Sequence, residues 1–182
     1  MTGNPPLGIA CLVVLVGPPA SGKSTWALRS GRGAVHISQD GLIDAISPDG
    51  FDHIYRPVYR AAEDAAARAA LQEGHTVIVD RTNRTRRHRE RWLRIAREAD
   101  VPAVAVEMNV PASLCRLRNC QREKGRRLSE DRMERMLAAL EPVQPDEGFR
   151  AIYSAEVTLP EILSQVLAER KELPHEHCHQ TR

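Results

Sequence analysis

Short apolar runs alternate with amphipathic segments along most of the chain. The runs at 9–16, 76–79 and 103–106 are almost continuously apolar and rich in valine, and a shorter run lies at 34–38. A continuous apolar run predicts a strand that is buried on both faces, which is typical of parallel sheets. A fifth strand is expected within 149–159.

Helical patterns fill the intervals between these strands. One helix is expected to end at about Arg29, and an alanine-rich pattern at 55–73 ends at Gly74, a residue typical of helix C-termini. An amphipathic pattern covers 85–99, and Pro160 predicts the start of a last helix. Strands that alternate with helices predict an α/β fold with a five-stranded parallel sheet and helices on both faces.

The segment at 112–140 interrupts this alternation. It predicts two short helices separated near Gly125, with no strand between them. We interpret this segment as a helical lid. The 182 residues contain no internal repeat and predict a single domain over 1–182, with a flexible tail at 173–182.

The segment that follows the first predicted strand, GPPASGKST at 17–25, matches G-x-x-x-x-G-K-[ST] in full. This motif requires a strand before it and a helix after it, and both are predicted here. Its backbone N–H groups can surround an anion, Lys23 can reach the β- and γ-phosphates, and the Ser24 hydroxyl can bind Mg²⁺. The fold is therefore predicted to be of the P-loop NTPase or kinase type, with bound ATP or GTP. The expected nucleotide contacts are Gly17, Ala20, Ser21, Gly22, Lys23, Ser24 and Thr25.

Two carboxylates follow predicted strands, at the edge of the sheet where ligands of α/β proteins bind. Asp40 comes after the second strand, where a carboxylate can take the proton of an acceptor hydroxyl. Asp80 ends the third strand, where it can support a metal ion. Each has a structural alternative: Asp40 as the cap of a helix at 41–46, and Asp80 as the acceptor for the Thr82 and Asn83 amides.

The predicted lid carries two arginines on one helix face, Arg118 and Arg122, because they are four residues apart. On a lid that closes over ATP, they can neutralise the charge that builds on the γ-phosphoryl group. The alternative is a solvated, charged helix face.

Composition excludes some classes of protein and localises charge. No run approaches the length of a membrane span, and the four cysteines form no C-x-x-C pair, which is typical of a cytoplasmic protein. The net charge is only +2, but residues 81–97 hold eight arginines against Glu90, and residues 113–127 hold six basic residues against Glu123. This segregation favours a polyanionic ligand near the two basic segments, although 81–97 also fits a solvated helix face.

Three further motifs resemble those of the polynucleotide 5′-hydroxyl kinases. DRTN at 80–83 resembles the D-x-T-N that ends their third strand, and RNCQR at 118–122 resembles the R-N-x-x-R of their lid helix. LEPVQPDEGF at 140–149 is similar to the F-E-x-P-x-x-x-E-G-F before their last strand. Together with the P-loop at 17–25, the likeness covers about 11–159.

The resemblance implies that the γ-phosphate of ATP is transferred, with Mg²⁺, to the 5′-hydroxyl of DNA or RNA. By position, Asp40 would be the general base, and Lys23, Arg118 and Arg122 would be the other catalytic residues. Ser24 would bind the metal, supported by Asp80.

The sequence departs from this family at one substrate contact. Microbial members often carry an arginine three residues after the base, whereas this chain has Ile43. The acceptor contacts expected here are Asn83, Arg84, Arg56 and Arg60. The phosphatase motif D-x-D-x-T is absent from the sequence, so the kinase is expected to act alone or with a separate phosphatase or ligase partner.

Two other functions fit the same motifs. One is a P-loop kinase of a small alcohol such as an antibiotic, a sugar or a nucleotide-like compound. The other is a nucleotide-binding module that transfers no phosphate, which a carboxylate placed for an acceptor disfavours.

Overall fold

Five parallel strands form a single sheet in the computed structural model, which describes residues 9–47 and 49–172. The strands are β1 (Leu12–Val16), β2 (Val35–Ser38), β3 (Val77–Asp80), β4 (Ala103–Glu107) and β5 (Ala151–Ser154). Their order across the sheet is β2-β3-β1-β4-β5. The predicted five-stranded parallel sheet is therefore confirmed.

Seven α-helices are found within the described residues. They are α1 (Lys23–Ser30), α2 (Gln39–Ile46), α3 (Arg56–Gln72), α4 (Arg86–Glu98), α5 (Ala112–Cys120), α6 (Glu130–Ala138) and α7 (Leu159–Glu172). Short 3₁₀ turns cover His53–Tyr55 and Pro145–Glu147. Helices α5 and α6 confirm the predicted pair at 112–140, which we call the lid.

The sheet separates two apolar layers because successive side chains of a strand point to opposite faces. Helices α3 and α4 cover one face of the sheet, and Trp92 of α4 lies in the same apolar layer as Val14 of β1. Helices α1 and α7 cover the opposite face, with Val13, Trp26 and Ile162. The near-continuous apolar sequence of β1 follows from this double coverage, since every residue of β1 is buried.

The position of β1 determines where a ligand can bind. It lies between β3 and β4 and is parallel to both, so the connections that leave the carboxyl ends of the strands diverge on either side of it. In doubly wound sheets, this divergence opens a crevice at the carboxyl end of the central strand.

Three cysteines, Cys11, Cys115 and Cys120, are free thiols in the described part of the chain. Cys178 and the tail predicted at 173–182 lie outside the described residues. None of the described helices has the length and apolar character needed to cross a membrane.

Candidate functional site

The loop between β1 and α1 forms an anion cradle at the carboxyl end of β1. Gly22 has a φ of 98° and Ala20 a φ of 61°, so the backbone turns through left-handed conformations twice before the helix begins. Gly17 packs closely on the neighbouring strand end, because a Cβ there would lie 2.8 Å from Met108 Cβ. The loop amides and the N-terminus of α1 therefore face one site, which is the geometry that binds phosphate.

Lys23 lies across this loop and is held by its backbone. Its Nζ donates to the carbonyl oxygens of Pro18 at 2.6 Å and Gly17 at 3.1 Å. Burial lowers the pKa of Lys23 to about 8, with Asp80 acting to raise it and Arg122 to lower it further. The lysine is therefore close enough to a carboxylate and to a lid arginine for both charges to affect its pKa.

Asp80 ends β3 beside the cradle and is only 6% exposed. Its Oδ2 lies 3.2 Å from His36 Nε2. Burial acts to raise the pKa of Asp80, but hydrogen bonding with His36 and Ser24 and the charge of Lys23 outweigh it, so the pKa lies below its ordinary value. Asp80 is thus an ionised carboxylate next to the Ser24 hydroxyl.

This arrangement fits a magnesium ion bound through a nucleotide. A serine hydroxyl and a carboxylate are the oxygen donors that Mg²⁺ prefers, and Mg²⁺ usually takes its other ligands from phosphate and water. In the described residues, no group of three or more His, Cys, Asp and Glu side chains could hold a metal ion. The structural alternative for Asp80 was to accept hydrogen bonds from the Thr82 and Asn83 amides. Neither bond is found among the described residues.

Asp40 lies in the first turn of α2 and lines the same cleft as Lys23. Helix α2 begins at Gln39, and its cap is Ser38, whose hydroxyl accepts from the Gly41 amide at 3.3 Å. The alternative that Asp40 caps a helix at 41–46 is therefore wrong. Its exposed carboxylate has no structural hydrogen bond among the described residues and can contact an acceptor.

The lid faces the cradle. Arg118 Nη1 lies 4.0 Å from the position that a Cβ on Gly22 would occupy, and both Arg118 and Arg122 line the cleft. Arg126 contacts Asp44 at 3.3 Å, one turn after Asp40 on α2. The lid therefore spans the site from the phosphate loop to the helix that carries Asp40.

All of these elements enclose one cleft of about 1830 Å³. The phosphate loop, Asp80 and the lid form one end of it. Arg56, Arg60 and Arg84 lie in the wall formed by α3 and the start of α4, so the cleft contains these predicted acceptor contacts, whose role stays a prediction. This volume is larger than the roughly 300–1,000 Å³ of most small-ligand pockets, so the cleft has room for a second substrate beside a nucleotide.

Asn83 is the predicted acceptor contact that the geometry does not support. It is 2% exposed and adopts a left-handed φ of 43°. Its Nδ2 donates to the Leu15 carbonyl at 2.8 Å, and its Oδ1 accepts from Trp92 Nε1 at 3.0 Å. The side chain therefore joins β1 to α4 and holds the loop after Asp80 in place.

We expect Asn83→Ala to lower the free energy of unfolding by about 1–3 kcal/mol, because it leaves the Trp92 N–H and the Leu15 carbonyl buried without partners. Urea denaturation measures the loss, and Thr82→Ala is the neighbouring control, expected to be much milder. A rise in the acceptor KM of Asn83→Ala at unchanged stability would restore the substrate contact.

His36 was missed by the sequence analysis, although a signal for it exists. In the parallel register, Ser38 pairs with Asp80 and His36 pairs with Ile78, so all four side chains point to the same face of the sheet. A histidine two residues before the end of β2 is therefore placed to reach a carboxylate at the end of β3.

Comparisons with known proteins support the kinase-type fold. A family model described as "AAA domain" matches residues 12–143. The chain is 29% identical over 110 residues to the bifunctional polynucleotide phosphatase/kinase of Schizosaccharomyces pombe, which covers 59% of this chain and 23% of that protein. It is 29% identical over 116 residues to the L-seryl-tRNA(Sec) kinase of Methanococcus maripaludis, covering 61% and 46% respectively.

A solved structure of the Pnkp1/Rnl/Hen1 RNA repair complex contains a chain with the same fold. The TM-score is 0.65 at 23% identity, over 77% of this chain and 47% of that one. The chain spans less than half the length of the curated relatives it matches.

Proposed function

This chain belongs to the AAA domain family and has a P-loop kinase fold, and from that premise we propose that it transfers the γ-phosphate of ATP to the 5′-hydroxyl of a polynucleotide. One observation carries the proposal. A phosphate cradle with its lysine and an exposed carboxylate without a structural role, Asp40, line the same cleft.

The chemistry follows from the placement of these residues. The loop amides and Lys23 bind the β- and γ-phosphates, and Lys23 exchanges its backbone carbonyl partners for phosphate oxygens. Asp40 accepts the proton of the acceptor hydroxyl as that oxygen bonds to the γ-phosphorus and the bond to the bridging oxygen of ADP breaks. Arg118 and Arg122 neutralise negative charge on the transferred group from the lid side.

Ser24 and Asp80 would hold the magnesium ion. When bound, Mg²⁺ neutralises charge on the β- and γ-phosphates and orients them. Asp80 contributes as an anion that is ionised across the neutral pH range, since its pKa is lowered. His36 orients its carboxylate through the contact at 3.2 Å.

Two observations support a polynucleotide acceptor over a small alcohol. Arginines from two helices line the cleft beyond Asp40, where a neutral alcohol would gain nothing from them. One curated relative, from S. pombe, is a bifunctional polynucleotide phosphatase/kinase, and one of the solved structures with the same fold is a chain of an RNA repair complex. A separate phosphatase or ligase would complete such end processing and is part of the proposal.

The test is transfer of labelled γ-phosphate from ATP to a 5′-hydroxyl oligonucleotide. We expect label on this strand, no label on the same strand with a 5′-phosphate, and little on a panel of small alcohols. The acceptor KM should rise steeply with salt, because phosphate contacts release counterions on binding.

The alternatives give different results in the same assay. Label on a small alcohol but on no oligonucleotide would replace the polynucleotide by a small acceptor. Tight ATP binding with label on no acceptor would favour a nucleotide-binding module that transfers no phosphate.

A further inference from the structure

The arginines of the basic segment 81–97 divide into two groups. Five of them form ion pairs: Arg81 with Glu63, Arg86 with Asp146, Arg89 with Glu147, Arg91 with Glu63 and Asp64, and Arg94 with Glu98. No ion pair is found for Arg84, Arg87 or Arg97 in the part of the chain that the structure describes. Most of the segment is therefore neutralised locally, and the charge that remains is confined to a few side chains.

Several basic side chains that line the cleft, with no ion pair found for them among the described residues, come from α3, from the start of α4 and from the loop before α4. Arg56 and Arg60 lie on α3, Arg84 lies just before α4, and Arg87 and His88 lie in its first turn. We call these five residues the α3–α4 wall. Neither Arg56 nor Arg60 has an ion pair among the described residues, so all four arginines of the wall line the cleft without a carboxylate partner found there.

One of these guanidinium groups is partly withdrawn from water. Arg84 Nε is buried and has no hydrogen-bond partner among the described residues. A buried donor without a partner costs free energy, and an anion that contacts it would remove that cost. A solvated helix face, the alternative interpretation of this segment, would leave all of its donors in water.

The surroundings of His88 show that arginines of the wall lie close to one another. Burial lowers its pKa, and the charges of Arg84, Arg81, Arg60 and Arg87 lower it further. Arginines from α3 and from the start of α4 thus act on the same ring. Like charges held together in a cleft produce a focused positive potential.

The two helices are fixed to each other, so the wall is formed before a ligand arrives. Arg91 of α4 donates to the Asp64 carboxylate and to the Arg60 carbonyl of α3, both at 2.7 Å. Its Nη1 also contacts Glu63, which is fully buried, at 3.1 Å. Arg91 therefore holds α3 and α4 together beside the arginines of the wall.

We propose that the α3–α4 wall binds two or more phosphodiester groups of the acceptor strand beyond its reacting 5′ end. This inference rests on the proposed function, because it takes the acceptor to be a polynucleotide. On this proposal, the wall determines the preference for longer acceptors, because a strand with several phosphates gains contacts that a dinucleotide lacks. Arginine contacts with the phosphates of a single strand would also make the acceptor KM depend on salt, which the ATP site alone would not do.

The experiment compares two double variants that remove the same charge. Arg84→Gln/Arg87→Gln removes two of the four arginines of the wall, and Arg94→Gln/Arg97→Gln removes two exposed arginines of α4 outside the cleft. Acceptor KM is measured for a 5′-hydroxyl dinucleotide and octanucleotide over a range of salt concentrations. Thermal unfolding of each variant checks that it is folded, and Arg56→Gln/Arg60→Gln provides an independent wall variant on α3.

We expect the wild-type KM to be about tenfold lower for the octanucleotide than for the dinucleotide, and the wall variant to lose most of this preference. The slope of log KM against log salt should fall by about 1.4, at roughly 0.7 for each phosphate contact removed. The outer-face control should retain both properties. An unchanged length preference in the wall variants, or an equal loss in the control, would overturn the wall while leaving the kinase activity established.

Failure of the proposed function gives a different result. If the wild type labels no oligonucleotide, fluorescence anisotropy of a labelled octanucleotide still measures binding to the wall. Weaker binding in the wall variants alone supports the site, and equal binding in the wild type and the wall variants overturns it.

Discussion

Asp40→Asn is expected to lower kcat for phosphoryl transfer by about 10²–10⁴-fold, the range typical of a lost general base. The amide keeps the shape of the side chain but cannot take the proton of the acceptor hydroxyl. The change should leave α2 intact, because Ser38 and not Asp40 caps that helix. ATP affinity should stay within about twofold, since the nucleotide contacts come from the phosphate loop.

Single-turnover transfer and equilibrium ATP binding measure these two quantities separately. Asp44→Asn is the matched control: it removes a carboxylate from the same helix, one turn later, where the side chain contacts Arg126 of the lid. We expect the control to lose less than about tenfold, because an exposed ion pair contributes little. Transfer at the wild-type rate by Asp40→Asn would exclude Asp40 as the base.

The sheet could be predicted because its signal is local. Each of the runs at 9–16, 76–79 and 103–106 is apolar at nearly every position, and only strands covered on both faces require this. The order of the strands has no such signal. That β1 lies between β3 and β4 depends on contacts between distant parts of the chain, which no periodicity records.

The site was predictable where a motif carries it and not where packing decides. The P-loop is contiguous, so its cradle follows from the sequence alone. Ser38 and Asp40 are both residues that cap helices, and the sequence could not decide which of them does so. The structural role of Asn83 could not be predicted either. One of its buried partners, Leu15, is distant in sequence, and the other, Trp92, lies in a helix whose sequence is mostly charged.

Arg89 shows how a structural arginine is concealed in a basic helix. Within 81–97 it resembles its seven neighbours of the same type, yet its side chain is fully buried. Its position gives a signal: residues 89, 92, 93 and 96 follow the spacing of a single helix face, and the last three are core residues. An arginine on the apolar face of a helix requires a buried partner.

That partner is Glu147, in the 3₁₀ turn before β5. Arg89 Nε donates to its Oε2 at 2.7 Å, and the two side chains are 0% and 1% exposed. Arg89 also donates to the carbonyl oxygens of Asn83, Glu141 and Pro142. One guanidinium group therefore joins the loop after β3, which follows Asp80, to the segment that leads into β5.

We expect Arg89→Met to lower the free energy of unfolding by about 3–5 kcal/mol, because it leaves a buried carboxylate and three carbonyl groups without their donor. Glu147→Gln should cost less, since Arg89 keeps its carbonyl partners. Chemical denaturation at neutral pH measures both changes. Arg86→Met is the control one turn earlier, where an exposed pair with Asp146 is removed, and it should be far milder. Equal losses in Arg89→Met and Arg86→Met would contradict the buried network.

The stability contributed by Glu147 should also depend on pH in one direction. Burial acts to raise its pKa, but hydrogen bonds from Arg89 and the Gln144 amide outweigh burial, so the pKa lies below that of an ordinary glutamate. A carboxylate with a lowered pKa stabilises the folded state fully above its unfolded pKa of about 4.3 and loses that contribution as pH falls through the folded value. The stability difference between the wild type and Glu147→Gln should therefore be constant from pH 7 to about 5 and shrink below pH 4. A difference that stays constant into acid would mean that the glutamate acts through its shape rather than its charge.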